Sequence, residues 1–258
     1  MNSLLKLEFR KLRKQKSFYI ILAIMAVLVV ISALVSKLLE SLANEFEEIA
    51  DAMATDAPSF TGTGVLLGFV SSSMFTTLTA IFVAIVVCDD YESQIIKNIF
   101  ARGYSRTDFF FAKMIYVIVT TSIMFIASVA VAAVIGALLF GISGDIGRIV
   151  ILLSVQYLAC LSMVLMFFGI STVIKKLGGT IAANIIAPIL VNLVLSLVDS
   201  LLNIENFSFT DIWLSSFTSS LSALTVETSR IIVCAALSVG YAVAFSAVGY
   251  FLASRTEA

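Results

Sequence analysis

Histidine is absent from the chain. That excludes histidine-dependent zinc sites, Ser–His dyads and histidine proton relays. Charge is scarce as well: 13% of the 258 residues are Asp, Glu, Lys or Arg, where a soluble domain carries about 25%. So few charges would not cover a surface in water. With two prolines only, Pro58 and Pro188, long helices are barely interrupted. The three cysteines, Cys88, Cys160 and Cys234, lie in or at the edge of different apolar segments without a CxxC spacing. They read as small buried hydrophobes rather than a metal site or a disulfide framework. No GxxxxGK[ST] stretch occurs, so nothing here is built to cradle nucleotide phosphates.

What the chain has instead is apolar length. It is 60% hydrophobic, with mean hydropathy +1.08. A bilayer core asks for roughly 20 apolar residues per helix, and six segments supply them: about 18–39, 65–88, 114–140, 149–174, 180–202 and 230–254. The reading is an all-α membrane protein with a single transmembrane domain over 1–258. Ser41-Leu42-Ala43 resembles a signal-peptide cleavage site, but the apolar run before it is about twice a typical h-region and its basic leader is long and amphipathic.

Basic residues set the expected orientation. Lys6, Arg10, Lys11, Arg13, Lys14, Lys16, Lys97, Arg102, Arg106, Lys113, Lys175, Lys176 and Arg255 fall on one side, and Lys37, Arg148 and Arg230 on the other. Both termini are therefore expected in the cytoplasm, with the acidic 40–56 stretch outside. No ionisable residue lies at mid-span; Lys37 and Asp199 sit near outer ends, where long side chains snorkel. A secondary transporter or proton-driven pump keeps a charge at that depth. Energy for any transport is thus expected from elsewhere.

Residues 2–17 form an amphipathic helix, with Leu4, Leu5, Phe9 and Leu12 on one face and Lys6, Arg10, Arg13 and Lys14 over much of the rest. It is expected to lie in the membrane interface against anionic lipids. In the second span Ser72, Thr76 and Thr79 share a face, suited either to helix packing or to lining a pathway. In the fifth, Asn184, Pro188 and Asn192 are spaced four apart; proline kinks the helix and the asparagines meet freed backbone groups or a partner helix. Ser72, Thr76, Thr79, Asn184 and Asn192 are the candidate pathway residues. The 203–229 stretch, with Phe207, Phe209, Trp213 and Phe217, suggests short outer helices dipping into the interface.

The loop at 89–113 carries most of the functional signal. Ile95, Ile96, Ile99 and Phe100 line one face of a short helix, while Lys97, Asn98, Ala101 and Arg102 fall largely on the other. Gly103 is placed to end that helix, and Ser105 with Asp108 opens the next as a capping box. An ordinary connector has no need of four exposed large apolar residues followed by a defined corner at Gly103, Ser105 and Arg106. A surface gripped by a cytosolic partner accounts for both features.

At these residues the chain resembles the permease subunits of ABC-2-type ATP-binding-cassette transporters. The shared order is a basic interfacial helix, a span, an outer loop, a span, then acidic–Ile–Lys–Asn–x–x–x–Arg–Gly–x–Ser–Arg and Phe–x–x–Lys. The resemblance implies the ABC-2-type exporter fold with six transmembrane helices and an N-terminal elbow helix at 2–17. It also implies a coupling helix at about 93–102 seated in a groove of a separate ATPase, with Ile95, Lys97, Ile99, Phe100, Arg102, Gly103, Ser105 and Arg106 as coupling residues. Ser93-Gln94 stands where the family more often has Gly-Thr. No catalytic residue, metal or cofactor is expected in this chain; ATP and magnesium would be bound by the partner.

Two permeases, identical or siblings, would pair in the plasma membrane. The expected partners are the ATPase, the second permease, membrane lipids and an amphipathic peptide cargo; nucleic acid is not among them. The alternative is a non-transporting scaffold or sensor subunit that docks a cytosolic partner. A six-span serine protease would need a histidine base, and none is present.

Overall fold

Where lipid offers no hydrogen-bonding partner, a spanning backbone satisfies its N–H and C=O groups one turn away along its own helix. Leu, Ile, Val and Ala dominate the apolar runs here, so the chain takes that solution throughout. A computed structural model describes residues 2–12, 14–45, 61–101, 103–141, 145–202, 208–222 and 226–255. Several sequence-based expectations lie outside them: Glu47, Glu48, Asp51, Asp56 and Pro58 of the first outer loop, Arg13, Phe207, and Arg102 of the coupling corner.

The described helices are α1 (Asn2–Leu12), α2 (Lys16–Glu45), α3 (Gly62–Ser71), α4 (Ser73–Glu92), α5 (Ile95–Ala101), α6 (Arg106–Phe140), α7 (Ile146–Ile174), α8 (Leu177–Leu202), α9 (Leu214–Ser220) and α10 (Thr228–Arg255). Among the described residues there is no strand. Six helices, α2, α4, α6, α7, α8 and α10, are long and apolar enough to cross a bilayer. Helices α4 and α7 are the most buried of these. Helices α2 and α3 pack on α6, α8 on α4, and α10 on α7. Large apolar side chains such as Ile126, Leu138, Leu190 and Leu201 face outward. In water a patch of this extent would drive aggregation; in hydrocarbon it is solvated.

The second span is not one helix. Ser72 has ψ 146°, so the helix stops at Ser71 and restarts at Ser73. Its hydroxyl donates to the Phe69 carbonyl at 2.6 Å and accepts from the Phe75 N–H at 3.3 Å. One side chain thereby caps both sides of the break, which is why a serine run tolerates it. The close approach of α3 to α6 needs two glycines. A Cβ on Gly136 would sit 2.7 Å from the Gly62 carbonyl oxygen, so backbone meets backbone there.

Between α8 and α10 the chain turns back into the bundle. Asp199 accepts hydrogen bonds from the Phe209 and Thr210 N–H groups at 2.6 and 2.9 Å and from the Ser208 and Thr210 hydroxyls at 2.7 and 2.9 Å. It thus holds a 3-10 turn at Thr210–Ile212. Sequence assigned Asp199 a snorkelling position; four donors on one carboxylate instead make it the anchor of this turn. Trp213, Leu214, Phe217 and Leu221 are then buried in the main core.

Candidate functional site

Two features at opposite ends of α4 bear on function. The first is the corner around α5. Gln94 precedes it with φ +56°, a left-handed conformation that costs a residue with a Cβ roughly 1–2 kcal/mol. This is the position where the family pattern has a different pair of residues. Gly103 follows α5 at φ +84°, its N–H on the Phe100 carbonyl at 2.9 Å. Ser105 caps α6: its oxygen accepts from the Asp108 N–H at 3.0 Å and its hydroxyl donates to the Asp108 carboxylate at 2.8 Å.

The apolar ridge of α5 is divided between inside and outside. Ile96 and Ile99 are buried among Leu4 of α1 and Phe109 and Ala112 of α6, and the Phe100 ring lies 6.2 Å from that of Phe109. Sequence placed Ile99 among the residues offered to a partner. At 6% exposure it has little surface left to offer, because side chains of α1 and α6 pack around it. Ile95, by contrast, is 37% exposed. Lys97, Gly103, Ser105 and Arg106 are exposed too, and Phe100 is half-buried.

Beneath α5 lies a charge cluster that joins three helices. The Lys113 ammonium of α6 is 3.2 Å from the Glu8 carboxylate of α1 and pairs with the Asp90 carboxylate of α4. Lys11 of α1 pairs with Asp90 as well and reaches Asp89 at 3.1 Å. Glu8 is 4% exposed, Asp90 and Lys113 2% each. Two cations meet two carboxylates, with Asp89 at the rim. The Lys113 ammonium also lies 5.3 Å from the centre of the Tyr116 ring, whose hydroxyl donates to Gln15 at 2.8 Å. Burial holds the Glu8 carboxyl above the ordinary carboxylate range, against the pull of Lys113. Burial draws the Lys11 ammonium down, but Asp90 and Asp89 outweigh it and its pKa ends above the usual value. The neighbouring Glu92 carboxylate accepts from the Leu177 N–H at 2.8 Å, so the start of α8 is tied to the same corner.

The second feature is a cavity of about 260 Å³ beside the break at Ser72. Ser71, Thr76 and Thr77 line it from α3 and α4, Asn184, Pro188 and Asn192 from α8, Met163 and Phe167 from α7, and Ser215 and Thr218 from the re-entrant segment. Three of the five candidate pathway residues, Thr76, Asn184 and Asn192, thus share one space. The other two are not among its lining residues. Ser72 caps the break, and Thr79 is buried with its hydroxyl on the Phe75 and Thr76 carbonyls at 2.9 and 2.8 Å.

Gln156 is not among the candidate residues read from the sequence, yet it braces this end. Its amide nitrogen reaches the Ser71 hydroxyl at 2.9 Å, the Leu221 carbonyl at 3.2 Å and the Leu67 carbonyl at 3.3 Å. A lone glutamine in an apolar span was the available hint.

The sequence profile described as ABC-2 family transporter protein matches residues 4–199, a stretch that includes both the α5 corner and the cavity's α8 wall. No curated protein matches the chain.

Proposed function

The chain belongs to the ABC-2 transporter family, and from that premise we propose that it is a permease subunit whose α5 is gripped by a separate ATPase. The observation that carries this reading is the two-sided seat of α5. Ile95, Lys97 and Arg106 are exposed among the described residues, while Ile96 and Ile99 key the helix onto α1 and α6. Arg102 is proposed as a further contact.

A push on α5 would reach Leu4, Phe109 and Ala112 directly. The Lys113–Asp90–Glu8 cluster would make α1, the end of α4 and the start of α6 move as one body, since separating them strands buried charges. The capped break at Ser72 is where α4 could tilt against α3, altering the cavity at the other end. ATP and magnesium belong to the ATPase in this reading. Two permeases, identical or siblings, pair across the route in the cell membrane, both termini cytoplasmic and α1 lying as an elbow on anionic lipid. The cargo proposed is an amphipathic peptide.

The test uses the tagged chain purified from its own membranes in mild detergent. A P-loop-bearing ATPase should co-purify, and the double substitution Lys97→Glu/Arg106→Glu should reduce its recovery at least tenfold without changing the amount of folded permease. Undiminished recovery would remove α5 and its corner from the docking surface.

A further inference from the structure

The cavity lined by Thr76, Asn184 and Asn192 is rich in hydrogen-bond acceptors. Several of its hydroxyls donate within the protein; for the Ser73 and Ser215 hydroxyls and the Asn192 amide, which also line it, no such bond is present among the described residues. The Thr77 hydroxyl donates to the Ser73 carbonyl at 2.7 Å, that of Thr218 to Ser215 at 2.9 Å, and that of Ser71 to the Leu67 and Thr218 carbonyls at 2.8 and 2.6 Å. A hydroxyl that has given its proton to the backbone keeps lone pairs, so these walls present oxygen acceptors. Asn184 carries the same bias further. Its amide nitrogen is directed at the Ala80 carbonyl and the Ser171 hydroxyl, both at 3.3 Å. Its carbonyl oxygen is fully buried and, among the described residues, has no hydrogen-bond partner.

An unpartnered buried acceptor is costly to the fold, a loss that a bound donor recovers. Among the described residues no Asp, Glu, Lys or Arg lines the space, so a full charge entering it would find no counter-charge from them in a poorly solvating region. Met163, Phe167 and Ile189 supply apolar wall. We infer that this cavity binds the uncharged, hydrogen-bond-donating head of an amphiphile, an N–H or O–H group such as a secondary amide, and that Asn184 is its specificity-determining acceptor. The inference rests on reading the cavity as part of the transport route and narrows the cargo: the group held here is neutral even where the cargo bears charge elsewhere.

The test compares three probes of one chain length on the purified chain in lipid nanodiscs: N-dodecylacetamide, which has one N–H; N-dodecyl-N-methylacetamide, which has none; and dodecylammonium, which has donors but is charged. Tritiated N-dodecylacetamide is displaced by the others in a proximity assay, with each affinity corrected for partition into protein-free nanodiscs. The secondary amide should bind about tenfold tighter than either competitor, the size expected of one buried hydrogen bond. Asn184→Leu should bring the two amides to equal affinity. The comparison of probes on the native chain stands even where that variant does not fold. Asn192→Trp, at the cavity's more open edge, should block all specific binding. Equal affinities for the three probes, still blocked by Asn192→Trp, would overturn the donor assignment and leave the cavity as a route. Binding indifferent to Asn192→Trp would overturn the cavity reading itself.

Discussion

Lys113→Met is expected to cost about 3–5 kcal/mol of stability, the range for removing one partner of a buried ion pair. The reason is local. Among the described residues, Lys113 is the one cation placed between Glu8 and Asp90, both almost wholly buried. Methionine fills the volume but leaves two carboxylates facing each other. Lys11 does not take its place, since its ion-pair contacts run to Asp90 and Asp89 rather than to Glu8. Glu8→Gln should be mild by comparison, because it removes a charge that burial already disfavours and keeps the shape.

The pH dependence separates the two substitutions further. The Glu8 pKa is raised in the folded protein, so the fold holds that proton more tightly than the unfolded chain does. The group therefore favours the fold at low pH, and that contribution is lost as pH rises from the ordinary carboxylate range through the raised value. The stability of Glu8→Gln relative to the native chain should accordingly rise with pH across that window. Thermal unfolding of both variants in detergent, followed by circular dichroism, checks this. A Lys113→Met protein as stable as the native chain would dismiss the cluster as a structural latch.

Gly136→Ala should have the second-largest effect on the fold. The added Cβ meets the Gly62 carbonyl oxygen at 2.7 Å and the Gly62 backbone carbons at 3.3 Å. No flexible side chain is there to yield, so α3 must move off α6, at a cost of about 1–3 kcal/mol or more. Gly68→Ala is the matched control. It makes the same chemical change on α3 with nothing within 4 Å of the new methyl, and should be neutral or slightly stabilising, as alanine is in a helix interior. Indistinguishable unfolding temperatures for the two would mean that α3 and α6 do not cross at these glycines.

How much of this was legible in the sequence follows from the range of the interactions involved. The apolar runs, the Gly103 turn and the Ser105 cap are local, set by residues within a turn or a span of each other, and all were readable. Ser72 was read as one polar residue on a continuous helix. The break there depends on its own hydroxyl capping both sides, which periodicity does not report. The charge cluster was invisible for a different reason. Glu8 and Lys113 are 105 residues apart, and no local pattern within α1 ties Glu8 to its partners.

The same distance effect misled the assignment of Ile99. An apolar ridge on a short helix says that something covers it, but not whether the cover comes from another chain or from this one. Here α1 and α6 provide it for Ile96 and Ile99. Thr76, Asn184 and Asn192 stand out in the sequence as polar residues in apolar spans, and the fold brings the three into one cavity.

The central claim, that this chain moves cargo under the power of an ATPase held at α5, is tested most directly by flux. The permease and its co-purified ATPase would be reconstituted into sealed vesicles, and ATP-dependent movement of a fluorescent amphipathic peptide across the bilayer followed in time. The expected result is movement that requires hydrolysable ATP and falls at least tenfold in the Lys97→Glu/Arg106→Glu variant. Stable ATPase binding and ATP hydrolysis without movement of any such peptide would contradict it, and would identify the chain as a docking scaffold instead.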